Sequence, residues 1–336
     1  MYKVKLKDNI QSSKVEQIVH AMAKDIDNNV LKQGQQLPTI NDFSEQNKVA
    51  RDTIEKAYKR LRTKGYIASY PGRGYFVLDK KRKKLRVLLI FNKISSFKKI
   101  IYDSILEGLF KKAKVDLRIH HYDPNLLREI LDDTIGRYDY YVIMPHFLSY
   151  AKEKQYIDII KMIPRHELIL LDKNLPQLKF PYKAVYQDFK MDIYEALNSS
   201  VGVIRKYKNI TLVLPKEIHH PKELAKGISD FCDEQSLVFR VIEYINYESI
   251  IKHTLFIVTD EENLAQLLKK IGELNLVLQR DIGIVSFNET VFKELLNITV
   301  VSTDFAKMGR TVAKLILGKE IGQHKNPFYL IKRKSL

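Results

Sequence analysis

The sequence predicts an α/β chain in two parts: a small unit of three helices closed by a β-hairpin, then a larger unit of helix-covered parallel sheets in two lobes. Three observations carry this. The chain has 336 residues with 45% hydrophobic content, enough for two or three compact units. Up to residue 78 the apolar residues recur at helical spacing, then alternate in two short runs around a Pro-Gly turn. From Leu85 onward, short apolar runs alternate with amphipathic stretches.

In the first part, Ser13-Lys14-Val15-Glu16 has the spacing of a capping box, with Ser13 at the N-cap and Glu16 reaching back. Val15, Ile18, Val19, Met22 and Ile26 then fall on one helix face. Gly34 supplies a turn, and Thr39 or Asn41 can cap a short helix carrying Ile40 and Phe43. A third helix starts near Ala50, buries Ile54, Ala57, Tyr58 and Leu61, and stops at Gly65. Residues 66–69 and 75–78 read as strands joined by the tight turn Pro71-Gly72-Arg73-Gly74. Residues 1–78 thus form a winged helix-turn-helix domain. Asp79 to Lys84 follows as a linker with five basic residues in six.

In the second part, 85–336, strands are expected over 86–91, 117–121, 140–144, 168–171, 210–214, 241–244, 255–258 and 282–287. Helices are expected over 101–113, 222–234 and 263–274. That is more than one six-stranded sheet needs, so two lobes with a cleft between them are predicted.

Charge narrows the partners. The net charge is +17, and residues 1–84 carry 19 Lys+Arg against 9 Asp+Glu, leaving only +7 for the other 252 residues. A basic front half suits a chain whose first domain sits on DNA phosphates. Cys232 is the one cysteine, which rules out an intramolecular disulfide and a multi-cysteine zinc site. The neighbours His120-His121 and His219-His220 alternate faces, with no carboxylate cluster to complete a metal set. No metal and no cofactor are expected. The first ten residues do not form a signal peptide, and no apolar stretch spans a membrane, so a cytoplasmic protein is expected. Walker, HExxH, GxSxG and complete GxGxxG motifs are all missing, which argues against an enzyme.

The run from Gly34 to Val77 resembles the DNA-binding domain of the GntR family. It supplies Gly34, Leu37-Pro38, Val49-Ala50-Arg51-Asp52-Thr53-Ile54, Leu61, Gly65 and Gly72-Arg73-Gly74 at the family's spacing. The resemblance implies DNA contacts from Arg51 and Thr53 on the third helix and from Gly72 and Arg73 in the wing; Lys56 on the exposed face of that helix, and Thr39 and Asn41 ahead of it, are further candidates for DNA contact. Asn41 stands where members often carry Arg, and Ala50 where they carry Ser or Thr. The operator sequence therefore does not transfer from relatives.

The second part is similar to the effector domain of the LacI/GalR family, which is periplasmic-binding-protein-like in fold. The stretches 281–318, 255–274 and 167–189 carry the likeness, with Ser286 replacing a glycine and Asn288 an aspartate. GntR domains joined to such a domain are similar to the arabinose-responsive repressors. In open α/β sheets ligands sit beyond the C-terminal strand ends, which here carry Asn92, His146, Asp172, Tyr186, Asp260 and Asn288. The resemblance adds Thr303; Tyr102 and Phe97 are candidates for an aromatic wall. Lys222 stands near where many sugar-binding members place an arginine, as a point charge rather than a fork.

The expected function is a homodimeric transcription regulator, a repressor, whose affinity for double-stranded operator DNA is controlled by a monosaccharide in the cleft. Two alternatives remain open on sequence. One is a solute-binding protein, which the basic front domain argues against. The other is an enzyme on a sugar or nucleoside, for which Asp172 is the one evident general base.

Overall fold

The computed structural model describes residues 2–4, 6, 12–78, 84–148, 151–215 and 223–336. It divides into two units, Met1–Lys84 and Leu85–Leu336.

The first unit contains α1 (Lys14–Asp27), α2 (Ile40–Asn47), α3 (Arg51–Thr63) and an antiparallel pair, β1 (Ile67–Tyr70) and β2 (Gly74–Val77). The capping box at Ser13 and Glu16 is formed in both directions. Thr39, the N-cap of α2, accepts from the Asp42 backbone. Ile18, Met22, Phe43, Ile54, Ala57, Tyr58 and Leu61 meet in one fully buried core. Tyr58 is saturated there, donating its hydroxyl to the Pro38 carbonyl at 2.9 Å. Gly65, at φ +70°, ends α3 in the left-handed conformation that glycine adopts without strain. The wing turn needs the same freedom at Gly72 and Gly74, at φ +72° and +89°. Gln36 donates to the Arg73 carbonyl at 2.8 Å and braces that turn.

The second unit holds two six-stranded sheets. The first is built from β3 (Leu85–Phe91), β4 (Ala113–Ile119), β5 (Tyr140–Ile143), β6 (Leu168–Asp172), β7 (Lys183–Tyr186) and β13 (Gln323–Lys325). Its order is β13-β7-β6-β5-β3-β4 and every pairing is parallel. The second takes β8 (Asn209–Val213), β9 (Val238–Ile242), β10 (Thr254–Val258), β11 (Ile282–Phe287), β12 (Thr299–Thr303) and β14 (Phe328–Ile331). Its order is β14-β12-β11-β10-β8-β9, parallel except for β14. The helices are α4 (Ser96–Gly108), α5 (Pro124–Thr134), α6 (Glu153–Ile160), α7 (Phe189–Asn198), α8 (Val201–Ile204), α9 (Glu223–Gln235), α10 (Glu261–Glu273), α11 (Val291–Leu295) and α12 (Phe305–Ile316). Central strands such as β6 and β10 are buried at every residue, which is why they read as unbroken apolar runs.

The chain crosses between lobes three times: after β7, after β12 and between β13 and β14. Accordingly α7 packs into the core of the second lobe, with Ile193 and Leu197, and α12 into that of the first, with Met308 and Val312. A Cβ on Gly309 of α12 would lie 2.5 Å from the Ile101 carbonyl oxygen, so only glycine lets α12 and α4 approach this closely. Asn326, 2% exposed, ties the crossings together. Its amide donates to Thr303 Oγ1 at 2.8 Å and to the Asp304 carbonyl at 3.0 Å, and its backbone N–H donates to the Tyr186 carbonyl at 2.7 Å.

Three sequence expectations shift. The fourth strand covers Ala113–Ile119 rather than 117–121, and the helix before it ends at Gly108 rather than at 113. A tight turn at Lys111, φ +61°, separates the two and carries no glycine or proline to announce it. The ninth strand covers Val238–Ile242 rather than 241–244, because it is a partly exposed edge whose start follows a left-handed turn at Ser236. Linker residues 79–83 lie outside the described residues.

Candidate nucleic-acid interface and ligand cleft

Arg51 opens α3 and is exposed, as are Lys56, Lys59 and Arg60 on its outer face, while Thr53 is half-buried. The N-cap is Ala50, whose side chain cannot cap the helix, so no side chain occupies the first-turn amides. Free N–H groups there, together with the positive end of the helix dipole, suit a phosphate. Lys56 pairs with Asp52 at 2.7 Å, but both side chains are mostly exposed, so the pair is weak and exchangeable. Asn41 lies exposed on the first turn of α2, next to the Thr39 cap, and Gly72 and Arg73 are exposed at the wing tip.

In the second unit, the first lobe gathers a built cluster at its strand ends. Asp172 terminates β6 with φ +75°, an unusual backbone for a non-glycine residue. Its Oδ2 accepts from Lys98 Nζ and from His146 Nε2, both at 2.9 Å, and its Oδ1 accepts from Gln187 Nε2 at 2.6 Å. Lys98, His146 and Asp172 side chains are only 12%, 14% and 9% exposed. Burial pushes the Asp172 carboxyl up, but Lys98 and His146 outweigh it and hold the group well below its ordinary value. Burial also lowers the His146 pKa despite the facing carboxylate, so the ring is neutral near pH 7 and donates through Nε2–H. The ion pair proper is therefore Lys98 with Asp172.

Asn92 follows β3 and is buried, with Oδ1 lacking any partner. Its side chain also bonds Tyr122, held in a β4–α5 loop where His121 and Tyr122 both adopt left-handed backbones. A buried carbonyl without a donor costs about 1–3 kcal/mol, which a ligand hydroxyl can recover. Phe97 stacks on Phe305 at 5.1 Å where α4 and α12 begin. Tyr102 packs against the core of its own lobe instead of joining the cluster.

The second lobe's candidates are committed differently. Asp260 caps α10, one oxygen accepting from the Asn263 backbone at 2.8 Å and the other from its amide at 3.0 Å. Thr303 donates to the Pro327 carbonyl at 3.0 Å and accepts from Asn326, which makes it part of the lobe crossing. Tyr186 ends β7 with its carbonyl on Asn326. Asn288 stands beyond β11 at φ +63°, held by Lys293, whose buried ammonium donates to the Phe287 and Asn288 carbonyls at 2.6 and 3.1 Å. Lys222 lies outside the described residues. Sequence reasoning missed Lys98, Gln187 and Asn326. Of these, only Lys98 left a trace, three residues beyond the Ser95 helix cap.

These two arrangements have known counterparts. Residues 14–77 match the family model described as bacterial regulatory proteins, gntR family. The first unit is a GntR helix-turn-helix domain. None of the curated proteins is similar in sequence to the chain. Solved structures match about three quarters of it, the share that the second unit makes up, and show its fold. A trehalose repressor from Escherichia coli aligns at 17% identity and TM-score 0.58, covering 74% of this chain and 100% of that one. A LacI-type regulator from Alkaliphilus metalliredigens, complexed with D-xylulofuranose, aligns at 14% and 0.57, covering 75% and 99%. The lac repressor dimer bound to operator aligns at 15% and 0.60, covering 76% and 95%. The second unit thus has the two-lobed fold of these periplasmic-binding-protein-like structures. Among the described residues, no helix is long and apolar enough to cross a membrane.

His120 ends β4 beside the cluster, fully buried, with Nε2 on the Met144 carbonyl at 3.0 Å and its ring 5.1 Å from Phe147. Burial pushes its pKa from 6.5 down to about 4. Between these values the unfolded chain binds a proton that the folded chain refuses, so stability falls as pH drops through that window. The full loss is about 3 kcal/mol. Thermal melts from pH 7.5 to 4.5 are expected to show this slope, and His120→Gln to flatten it.

Proposed function

We propose that the chain is a transcription regulator, acting as a repressor, which binds operator DNA as a homodimer and is released by a small carbohydrate in the cleft of its second unit. The observation that carries this reading is the joining of a GntR domain to a fold whose solved neighbours are sugar-named regulators. A solute-binding protein would have no use for the first unit.

On DNA, α3 enters the major groove, with Arg51 and Thr53 at base edges or phosphate and Lys56 exchanging Asp52 for the backbone. Thr39 and Asn41 approach the flanking phosphates, and Gly72 and Arg73 carry the wing to the minor groove. In the cleft, Asn92, His146 and Asp172 form the binding floor. Asp260, Asn288, Thr303 and Tyr186 complete the candidate set around it. Ligand favours the closed arrangement of the lobes, and the three crossings at Asn326 are where that closure is absorbed. The test is operator binding measured by gel shift on DNA upstream of the chain's own gene, with and without a sugar panel. Retained complex at saturating ligand across the panel would refute ligand release.

One helix reads too few base pairs for specificity, so a symmetric pair of half-sites is required. The second lobe offers a surface for the pairing. Val291, Phe292, Leu295 and Leu296, on and next to the short α11, are 79%, 73%, 74% and 54% exposed. Four large apolar side chains left in water at one place mark an interface. The lac repressor with this fold is a dimer in its structure. Phe292→Asp is therefore expected to convert a dimer to a monomer in light scattering. Operator affinity should fall at least about tenfold, because paired binding gains from effective concentration. The melting temperature should hardly move, since Phe292 contributes little to its own fold. An unchanged dimer would place the interface elsewhere.

A further inference from the structure

The cleft is built for a charged ligand. Neutral sugars donate hydroxyl protons, and a site for them presents carboxylates with lone pairs to spare. Here Asp172, Asp260 and Asp188 are each already engaged by protein donors. Asp172 has one oxygen on Lys98 and His146 and the other on Gln187. Asp260 has both oxygens on Asn263. Asp188 caps α7 by accepting from the Met191 backbone. Glu223, at the start of α9, is the further acid on this side, near enough for its charge to act on Tyr156 of α6.

Two cations, in contrast, have no protein partner among the described residues. Lys93 follows Asn92 directly, exposed, with no hydrogen bond or ion pair to any described residue. It lies close enough to Lys98 for the two ammoniums to repel. Lys173 follows Asp172, half-buried and likewise unpaired, and its charge acts on His146. Lys93 and Lys173 thus directly follow Asn92 and Asp172 at the ends of β3 and β6, and Lys98 bonds Asp172. Asn92 itself carries a buried Oδ1 that lacks a donor.

We infer that the effector is an anionic polyhydroxylated molecule, a sugar phosphate or a sugar acid, whose charge lies among Lys93, Lys98 and Lys173 while one hydroxyl donates to Asn92 Oδ1. This rests on the cleft being the effector site, as proposed above. Charge decides selectivity because a desolvated ammonium gains little from a neutral hydroxyl and much from an oxyanion. A phosphate ester dianion balances the charge of the cluster and a carboxylate offsets half of it, in either case without disturbing the Lys98–Asp172 pair.

The test is calorimetry on the full chain with matched sets: pentoses and hexoses, their terminal phosphates, the corresponding uronic and aldonic acids, and inorganic phosphate alone. A charged member is expected to bind at least about tenfold tighter than its neutral parent, with affinity falling as salt rises. Lys93→Gln and Lys173→Gln should each weaken that member about tenfold and leave any binding of the parent unchanged. Both side chains are free of partners among the described residues, and unchanged melting temperatures would exclude misfolding. The phosphate and acid arms distinguish which anion is read. A neutral sugar binding as tightly as its charged derivatives, or anion affinity untouched in both variants, overturns the inference and leaves a sugar-responsive regulator standing. Inorganic phosphate matching the best sugar phosphate overturns the polyol part. Silence across all sets removes the inference and the carbohydrate reading together.

Discussion

Asp172→Ala is expected to lower the melting transition of the second unit sharply and to abolish effector binding. The carboxylate holds three side chains at once, and Lys98, 12% exposed, has no other anion within reach among the described residues. Removing one partner of a buried pair leaves an uncompensated charge, at a cost of about 3–5 kcal/mol. Asp172→Asn should cost less, because its carbonyl oxygen still accepts from Gln187 or His146. Loss on that scale is between about a fifth and the whole of the stability of a typical domain, about 5–15 kcal/mol. The first unit should melt as before, so differential scanning calorimetry should show one transition move and the other stay. An unmoved second transition would mean that the cluster is open to water and that Lys98 relaxes outward. The pH dependence is a further check. The folded Asp172 carboxyl lies below its ordinary value of 3.8, so its contribution is complete above that value. It is lost only as strong acid protonates the folded carboxylate.

What the sequence shows and hides follows from where the determining contacts lie. The limits of α1 and α3 are legible because their signals are local: Ser13 and Glu16 bond each other across one turn, and Gly65 takes the left-handed residue after α3. Strand ends are legible for the same reason. Asn92, His146 and Asp172 each follow a buried apolar run and converge because adjacent parallel strands end together. The partners of Asp172 are not legible. Lys98 reaches it from 74 residues away, through the placement of α4, and nothing in its neighbours distinguishes it from Lys99, which pairs outward with Asp103. Asp260 shows the opposite ambiguity. An aspartate after a strand and before a helix serves equally as ligand contact or cap, and here both oxygens are on Asn263. The crossing at Asn326 was hidden because β13 and β14 have three and four residues, too short for a period, and their meaning comes from the two sheets they join.

Arg51→Ala separates the DNA-binding role from everything else. Arg51 is exposed and its side chain makes no hydrogen bond or ion pair with any described residue, so the first unit should keep its stability when it is truncated. As the first residue of α3, it projects its guanidinium beside amides that no side chain caps, where a base edge or a phosphate gains two donors at once. Loss of one such contact is worth about 1–3 kcal/mol, so operator affinity should drop roughly fivefold to more than a hundredfold. The salt dependence tells which contact is lost. If Arg51 meets phosphate, the slope of log affinity against log salt should become shallower by about one and all sequences should weaken alike. If it reads a base, the slope should hold and discrimination should relax at one position in each half-site. Lys56→Ala, which surrenders only an exposed pair with Asp52, should behave like the phosphate case. Effector affinity should be equal in Arg51→Ala and the unaltered chain when measured without DNA, because the substitution lies in the other unit. With operator present, ligand and DNA compete through the same coupling free energy. A variant that binds DNA more weakly should then be released at lower ligand concentration, and the size of that shift measures the coupling directly. Operator affinity unchanged by Arg51→Ala would remove α3 from the major groove.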